Sequence, residues 1–77
     1  MTKNEEARQR MGARIAELRK RKGMTQTELA AKAGLFQGHI ARLEAGAYGA
    51  TVDVLSGIAE ALGARLDMVE EEDRGQG

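Results

Sequence analysis

The stretch that decides the fold is residues 23–46, which run GMTQTELAAKAGLFQGHIARLEAG. Thr25 can cap a helix, and Glu28, three residues later, can complete a capping box. Apolar residues then recur at helical spacing up to Gly34, a residue type whose permissive backbone commonly ends a helix. A second apolar stripe follows over residues 37–45. The sequence therefore predicts two helices of about two turns each, joined by a tight glycine turn.

Two such helices in succession form a helix-turn-helix, an arrangement with which many proteins read DNA. We expect the first helix over about 26–33 and the second over about 37–45. In that geometry the second helix enters the major groove with its N-terminal residues facing the base edges. DNA binding is therefore the leading functional hypothesis.

The flanking sequence predicts one further helix on each side of this pair. The first runs from about Glu5 to Lys22, because apolar residues recur every three or four positions along one face. The last begins after Thr51, which can cap it, and ends at Gly63. We therefore expect an all-α fold, a bundle of four helices.

The apolar spacing changes towards the C-terminus. Leu66 and Met68 alternate with polar neighbours, which favours a short strand over residues 64–69. One strand per chain leaves its backbone edges unpaired. Pairing with the same strand of a second copy would satisfy those edges and bury Leu66 together with Met68 or Val69. A fifth short helix beginning near Arg65 is the alternative.

Length and composition limit the remaining possibilities. Seventy-seven residues predict one domain, with a core over about 8–69 and a flexible acidic tail over about 70–77. The chain has no cysteine and a single histidine, His39, so we expect no metal site and no cofactor. No apolar run approaches the ~20 residues of a membrane span, and the N-terminus lacks a secretory core. We expect a cytoplasmic protein that does not bind membranes.

The net charge of zero conceals a strong division along the chain. Residues 1–42 carry ten Lys and Arg against four Asp and Glu, whereas residues 43–77 carry two against eight. A molecule polarised in this way can present a basic face to phosphates while its acidic end points away. An ordinary helical bundle with solvated charges is the alternative.

Several short segments resemble the Cro/lambda-repressor-like helix-turn-helix, also called the XRE family, in order and spacing. They are residues 23–26, 28–30, 33–34, 40, 43–46 and 58–63. The resemblance covers about residues 8–63 and implies a lambda-repressor-like bundle. The strand predicted over residues 64–69 is more similar to small antitoxin-like regulators than to phage repressors, which usually continue into a fifth helix.

This resemblance implies a homodimeric transcriptional regulator, most simply a repressor, acting on a palindromic operator. Its two reading helices would lie about one helical turn, ~34 Å, apart on the duplex. An antitoxin that represses its own operon and also neutralises a toxin protein is the alternative within this class. A protein-interaction module that does not bind DNA is the alternative from another class. An enzyme is least favoured, because a single histidine and no cysteine leave few groups for catalysis.

The family likeness also assigns residues to the DNA backbone and to the domain interior. Gln26, the first residue of the second helix, matches the family's phosphate-clamping glutamine and lies beside free backbone N–H groups. Thr25 next to it and Tyr48 in the following loop are further phosphate candidates. Arg19 and Glu44 match a pair that forms an ion bridge between the first and third helices.

The third helix supplies the candidate base-reading residues. Gln37 can bond an adenine through two hydrogen bonds, and Arg42 can bond a guanine or a nearby phosphate. Gly38 either permits a close approach to DNA or is merely tolerated, and His39 either contacts DNA or is an ordinary surface residue. Phe36 stands where the family usually has a capping Ser or Thr, so a cap worth about 1 kcal/mol is lost. Its ring either contacts a thymine methyl group or packs over the second helix.

Overall fold

Four helices form within residues 2–71, the part of the chain that the computed structural model describes. In chain order they are α1 (Lys3–Arg21), α2 (Gln26–Ala33), α3 (Gln37–Glu44) and α4 (Val52–Ala61). The predicted all-α class is therefore confirmed. The bounds of α2 are those predicted, and α3 ends one residue earlier than predicted because Ala45 is its C-cap.

Threonine caps fix the starts of three helices. Helix α1 begins two residues earlier than predicted because Thr2 caps it: the Glu5 N–H donates to Thr2 Oγ1 over 3.1 Å, and the Thr2 N–H donates to the Glu5 carboxylate over 3.0 Å. The same capping box joins Thr25 and Glu28 at α2, at 3.0 and 2.8 Å. Thr51 caps α4 by accepting from a backbone N–H over 3.1 Å.

The turn between α2 and α3 brings the two helices together at an angle. Gly34 has φ +72°, a left-handed conformation that a residue with a Cβ adopts only at a cost. The Leu35 N–H then donates to the Ala30 carbonyl over 2.8 Å, which closes the end of α2. The turn thus sets the direction in which α3 leaves α2.

A small apolar core holds the four helices together. Every helix contributes to it, and Leu29 and Ile40, from the two members of the helix pair, are completely buried. The buried apolar residues are Ile15, Leu29, Ala30, Ile40, Leu43, Ile58 and Leu62. Burial of each large aliphatic side chain contributes roughly 1.5–3 kcal/mol, so this core supplies most of the force that orients α3.

The segment that follows α4 differs from the prediction. Residues 64–71 take no regular structure, so neither the predicted strand over residues 64–69 nor the alternative fifth helix forms. Within residues 2–71 the chain has no other strand to which such a segment could hydrogen-bond. Leu66 is half-buried, whereas Met68 and Val69 are 94% and 83% exposed. Most of the predicted acidic tail, residues 72–77, lies outside the described residues.

Every helix within residues 2–71 falls short of the length or the apolar character that a membrane crossing requires.

Candidate nucleic-acid interface

Helix α3 separates its residues sharply into a core face and an outer face. Ile40 and Leu43 are 0% and 4% exposed and belong to the core. Gln37 and Arg42, two of the predicted base-reading residues, are exposed, and His39 is half-buried. A helix anchored by apolar residues on one side and carrying polar donors and acceptors on the other has the geometry that groove recognition requires.

A buried ion pair fixes the C-terminal end of α3 against α1. Arg19 Nε donates to Glu44 Oε2 over 2.6 Å and Arg19 Nη2 donates to Glu44 Oε1 over 3.0 Å, a bidentate arrangement. Arg19 Nη1 also donates to the Met24 carbonyl over 2.9 Å. The two charged side chains are only 11% and 8% exposed. The structure thus brings together the two residues that the family likeness paired.

Both members of this pair are held in their charged forms. Burial raises the pKa of Glu44, but the hydrogen bonds from Arg19 and Gln26 lower it further, so the net pKa lies below its ordinary value. The hydrogen bonds to Glu44 raise the pKa of Arg19 in spite of burial. Both shifts therefore favour the ionised form of the pair.

A chain of hydrogen bonds leads from this ion pair to the outer face of α3. Gln26 Nε2 donates to Glu44 Oε1 over 3.0 Å, and Gln37 Nε2 donates to Gln26 Oε1 over 2.8 Å. Because the Glu44 carboxylate can only accept, the amide of Gln26 is fixed with its oxygen towards Gln37. We call Arg19, Glu44, Gln26 and Gln37 the polar junction. The sequence predicted all four residues and, through the family likeness, the ion pair, but neither of the two hydrogen bonds made by Gln26.

The loop after α3 supports two more of the predicted base-reading residues. The ring of His39 stacks on that of Tyr48, with centroids 5.4 Å apart and planes inclined by 24°. The Cζ atom of Arg42 lies 5.8 Å from the centre of the Tyr48 ring, within cation–π range. The Tyr48 hydroxyl is buried and has no hydrogen-bond partner among the described residues. Tyr48 therefore supports the outer face of α3 through its ring.

The start of α3 carries an uncovered aromatic ring. Phe36 occupies the N-cap position and, as predicted, provides no side-chain hydrogen bond there. Its side chain is 85% exposed, so the alternative that the ring packs over α2 is wrong. Gly38 follows on the first turn, and a Cβ built on it would meet only a nitrogen of Arg42, at 3.5 Å. The first turn of α3 thus exposes one large apolar group and one open backbone position.

One residue beside this surface was not predicted. Arg8, on α1, packs against the loop after α3, because a Cβ built at Gly49 would lie 3.6 Å from Arg8 Cδ. Its Nε atom is buried without a partner among the described residues. Nothing in the local sequence distinguishes this arginine from its neighbours on α1. Within residues 2–71 no group of His, Asp and Glu side chains could hold a metal ion.

Comparisons with known proteins agree with this geometry. A family model described as helix-turn-helix (HTH_3) matches residues 15–69. Two solved structures of the clp gene regulator ClgR from Corynebacterium glutamicum are similar to the chain. One is 33% identical with a TM-score of 0.73, over 75% of this chain and 62% of that one. The other is 32% identical with a TM-score of 0.75, over 77% and 76% of the two chains.

The chain thus spans less than two thirds of the first of these ClgR chains. None of the curated proteins compared with the chain matches it. The family model nevertheless covers well over half of the 77 residues, including the whole of α2, α3 and α4. The chain therefore belongs to the helix-turn-helix family of DNA-binding proteins, in its Cro/lambda-repressor-like (XRE) form, as the sequence predicted.

Proposed function

We propose that the protein is a sequence-specific transcriptional regulator that binds a palindromic operator as a homodimer and represses transcription. The observation that carries the proposal is the polar junction. It ties Gln37, at the outer face of α3, through Gln26 to a buried ion pair, so a side chain suited to reading bases is held in place before DNA arrives. The ClgR proteins, which this chain resembles, are described as gene regulators.

Each polar group of this surface has a defined role in the proposal. Gln37 accepts and donates at an adenine edge, and Arg42 bonds a guanine through two N–H groups, each pair discriminating between bases by about 1–3 kcal/mol. Gln26 and Thr25 lie where the first N–H groups of α2 have no partner within the helix, so they bind a phosphate. Phe36, at the entrance of α3, contacts a thymine methyl group.

Selection of bound sequences from random duplex DNA at two salt concentrations tests the proposal. We expect a palindrome in which Gln37→Ala and Arg42→Ala each relax the preference at particular positions. Gln26→Ala should instead weaken binding to all sequences by a similar factor. Failure to enrich any sequence, even at low salt, would contradict the proposal and favour a protein-interaction module.

Two glycines inside helices provide a matched test of how closely α3 approaches DNA. Gly38 lies in α3 and Gly57 in α4, and neither has a close obstacle at its Cβ position. Replacement of either by alanine should stabilise the free protein by up to about 1 kcal/mol. We expect Gly38→Ala, but not Gly57→Ala, to weaken operator binding, because only α3 enters the groove. Equal affinities for the two variants would show that Gly38 is merely tolerated.

The residues after α4 form the proposed dimer contact. Met68 and Val69 are almost fully exposed, and Leu66 lines an apolar groove between α1 and α4. A second copy that covers these side chains would remove apolar surface from water. Sedimentation of a chain truncated after Gly63 tests this arrangement. A dimer of undiminished strength would contradict it.

If the operator overlaps a promoter, the bound protein would block access to that promoter and so repress transcription. In vitro transcription from a promoter that contains the selected palindrome should fall as protein is added. The Gln37→Ala variant should need a higher concentration for the same effect. Increased transcription would assign the protein an activating role instead.

A further inference from the structure

A small pocket lies between the N-terminal half of α1 and the loop that joins α3 to α4. Its volume is about 190 Å³, and its lining is mostly apolar. Arg8 and Tyr48 are its polar members, and no carboxylate lines it. The pocket therefore places a basic side chain from α1 beside the loop that supports the outer face of α3.

Two buried polar atoms in this pocket have no hydrogen-bond partner within residues 2–71. They are Nε of Arg8 and the hydroxyl oxygen of Tyr48, and both can donate a hydrogen bond. Buried donors without an acceptor are rare in folded proteins and unfavourable. Two donors, one of them part of a cation, in a pocket without a carboxylate indicate a site suited to an anionic acceptor.

The same two residues adjoin the surface that is proposed to read DNA. The Tyr48 ring stacks on His39 and lies under the guanidinium of Arg42. Arg8 forms no ion pair with a described residue. Hydrogen bonds with Thr2 and then the charge of Arg8 lower the pKa of Glu5, one turn earlier on α1. Arg8 thus contributes a positive charge, only partly offset by Glu5, at the edge of that surface.

We propose that Arg8 binds a phosphate of the DNA backbone flanking the bases read by α3. The inference rests on the proposed function and adds a contact from α1 to it. Only the inner nitrogen of Arg8 is buried, so the outer nitrogens of its planar guanidinium are left to bind phosphate oxygens. The loop that packs against the stem of Arg8 restricts its rotamers and so reduces the entropy lost on binding.

The test compares Arg8→Met with Arg14→Met. Both substitutions remove one positive charge from α1 and keep an apolar stem, but Arg14 lines the groove between α1 and α4 and pairs with Glu17. Because that groove borders the proposed dimer contact, sedimentation would check that both variants keep the oligomeric state of the wild type at the concentrations used. Fluorescence anisotropy would measure the affinity of each variant for the selected operator and for a scrambled duplex between 50 and 200 mM salt. Thermal unfolding without DNA would be recorded in parallel.

We expect Arg8→Met to lower the slope of log K against log salt by about 0.9, which corresponds to about eightfold weaker binding at 0.1 M salt. The loss should be the same for the operator and the scrambled duplex, because phosphates carry no sequence information. Arg14→Met should keep the wild-type slope. The melting temperature of Arg8→Met should be unchanged or raised, because methionine fills the pocket without a buried donor.

A slope for Arg8→Met equal to that of Arg14→Met would overturn the inference, while wild-type preference for the operator would leave the proposed function intact. A wild-type protein that binds no duplex would defeat the proposed function itself. If Arg8→Met fails to fold, Arg8→Gln provides the same loss of charge with a polar side chain. A loss of affinity confined to the operator would also contradict a phosphate contact.

Discussion

The two sides of α1 are built in opposite ways. One side meets α3 through the polar junction, whose ion pair has distances of 2.6 and 3.0 Å and side chains that are nearly buried. On the other side, an apolar groove of about 340 Å³ lies between α1, α4 and the segment after α4. Directional bonds therefore add to the apolar core in orienting the helix that is proposed to read DNA, whereas apolar side chains line the region proposed to form the dimer.

The two sides of α1 therefore differ in how strictly they fix the position of the neighbouring element. A buried charge that loses its partner is strongly destabilising, so any rotation of α3 that separates Glu44 from Arg19 is opposed by a large energy. Apolar contacts tolerate small displacements, because their energy depends mainly on the area removed from water. The construction is consistent with a rigid reading surface next to a face that adapts to a second copy.

Loss of the ion pair should have the largest effect on folding. Arg19→Met would leave Glu44 as an uncompensated buried charge, and we expect the free energy of unfolding to fall by about 3–5 kcal/mol. Glu44→Leu should be less harmful in the Arg19→Met background than in the wild type. Urea unfolding of the four proteins of this double-mutant cycle would measure the coupling. Additive effects would show that the pair does not hold α1 and α3 together.

Disruption of the close backbone contact between α1 and α3 should have the next largest effect on folding. A Cβ at Gly12 would lie 2.2 Å from the Leu43 carbonyl oxygen and 2.8 Å from that of Glu44. Both atoms belong to the backbone, so neither can move aside without displacing α3. We expect Gly12→Ala to lower the free energy of unfolding by about 3 kcal/mol. Gly57→Ala, with open space at its Cβ, is the control, and a similar loss in both variants would contradict this interpretation.

Local signals account for the parts of the fold that the sequence predicted well. The bounds of α2 follow from a capping box at Thr25 and Glu28 and from Gly34, all within the helix or adjacent to it. The same Thr-x-x-Glu spacing at Thr2 and Glu5 would have given the correct start of α1. The strand over residues 64–69 was predicted wrongly, because alternation indicates which side chains share a face but cannot supply a hydrogen-bonding partner.

Prediction of the candidate site depended far more on contacts between residues that are distant in the sequence. Arg19 and Glu44 are 25 positions apart, and only the family likeness paired them. The bond from Gln37 to Gln26 and the stack of His39 on Tyr48 depend on how α3 is placed against α2 and the following loop. No periodicity or spacing within one element indicates how two elements are placed, so candidate residues could be predicted without their arrangement.

The decline of the unfolding free energy at acid pH should also depend on the polar junction. The folded pKa of Glu44 lies below its ordinary value of 4.5. Its stabilising contribution is therefore complete above that value and is lost as the pH falls through the folded pKa. We expect Glu44→Gln to flatten the decline of unfolding free energy between pH 5 and pH 3, by at most about 1.4 kcal/mol per pH unit.

Urea unfolding at several pH values would measure this slope. Glu17→Gln is the control, because hydrogen bonds and charge interactions with Arg14 and Arg21 also lower the pKa of Glu17, yet its side chain is half exposed. Solvent screens such a surface pair, so the slope of unfolding free energy against pH should change much less in Glu17→Gln. Identical slopes in wild type and Glu44→Gln would contradict a charged, buried Glu44.

The smallest effect on folding is expected in the segment after α4, beside the apolar groove. Met68 is 94% exposed, so Met68→Ser should change the unfolding free energy of the monomer by less than about 0.5 kcal/mol. The same substitution should weaken dimerisation about tenfold, because the side chain would no longer be removed from water at the contact. Val52→Ser, at an exposed apolar position in α4, is the control for dimerisation. A loss of monomer stability above about 1 kcal/mol in Met68→Ser would mean that this segment packs within its own chain, and the contrast between the two sides of α1 would fail.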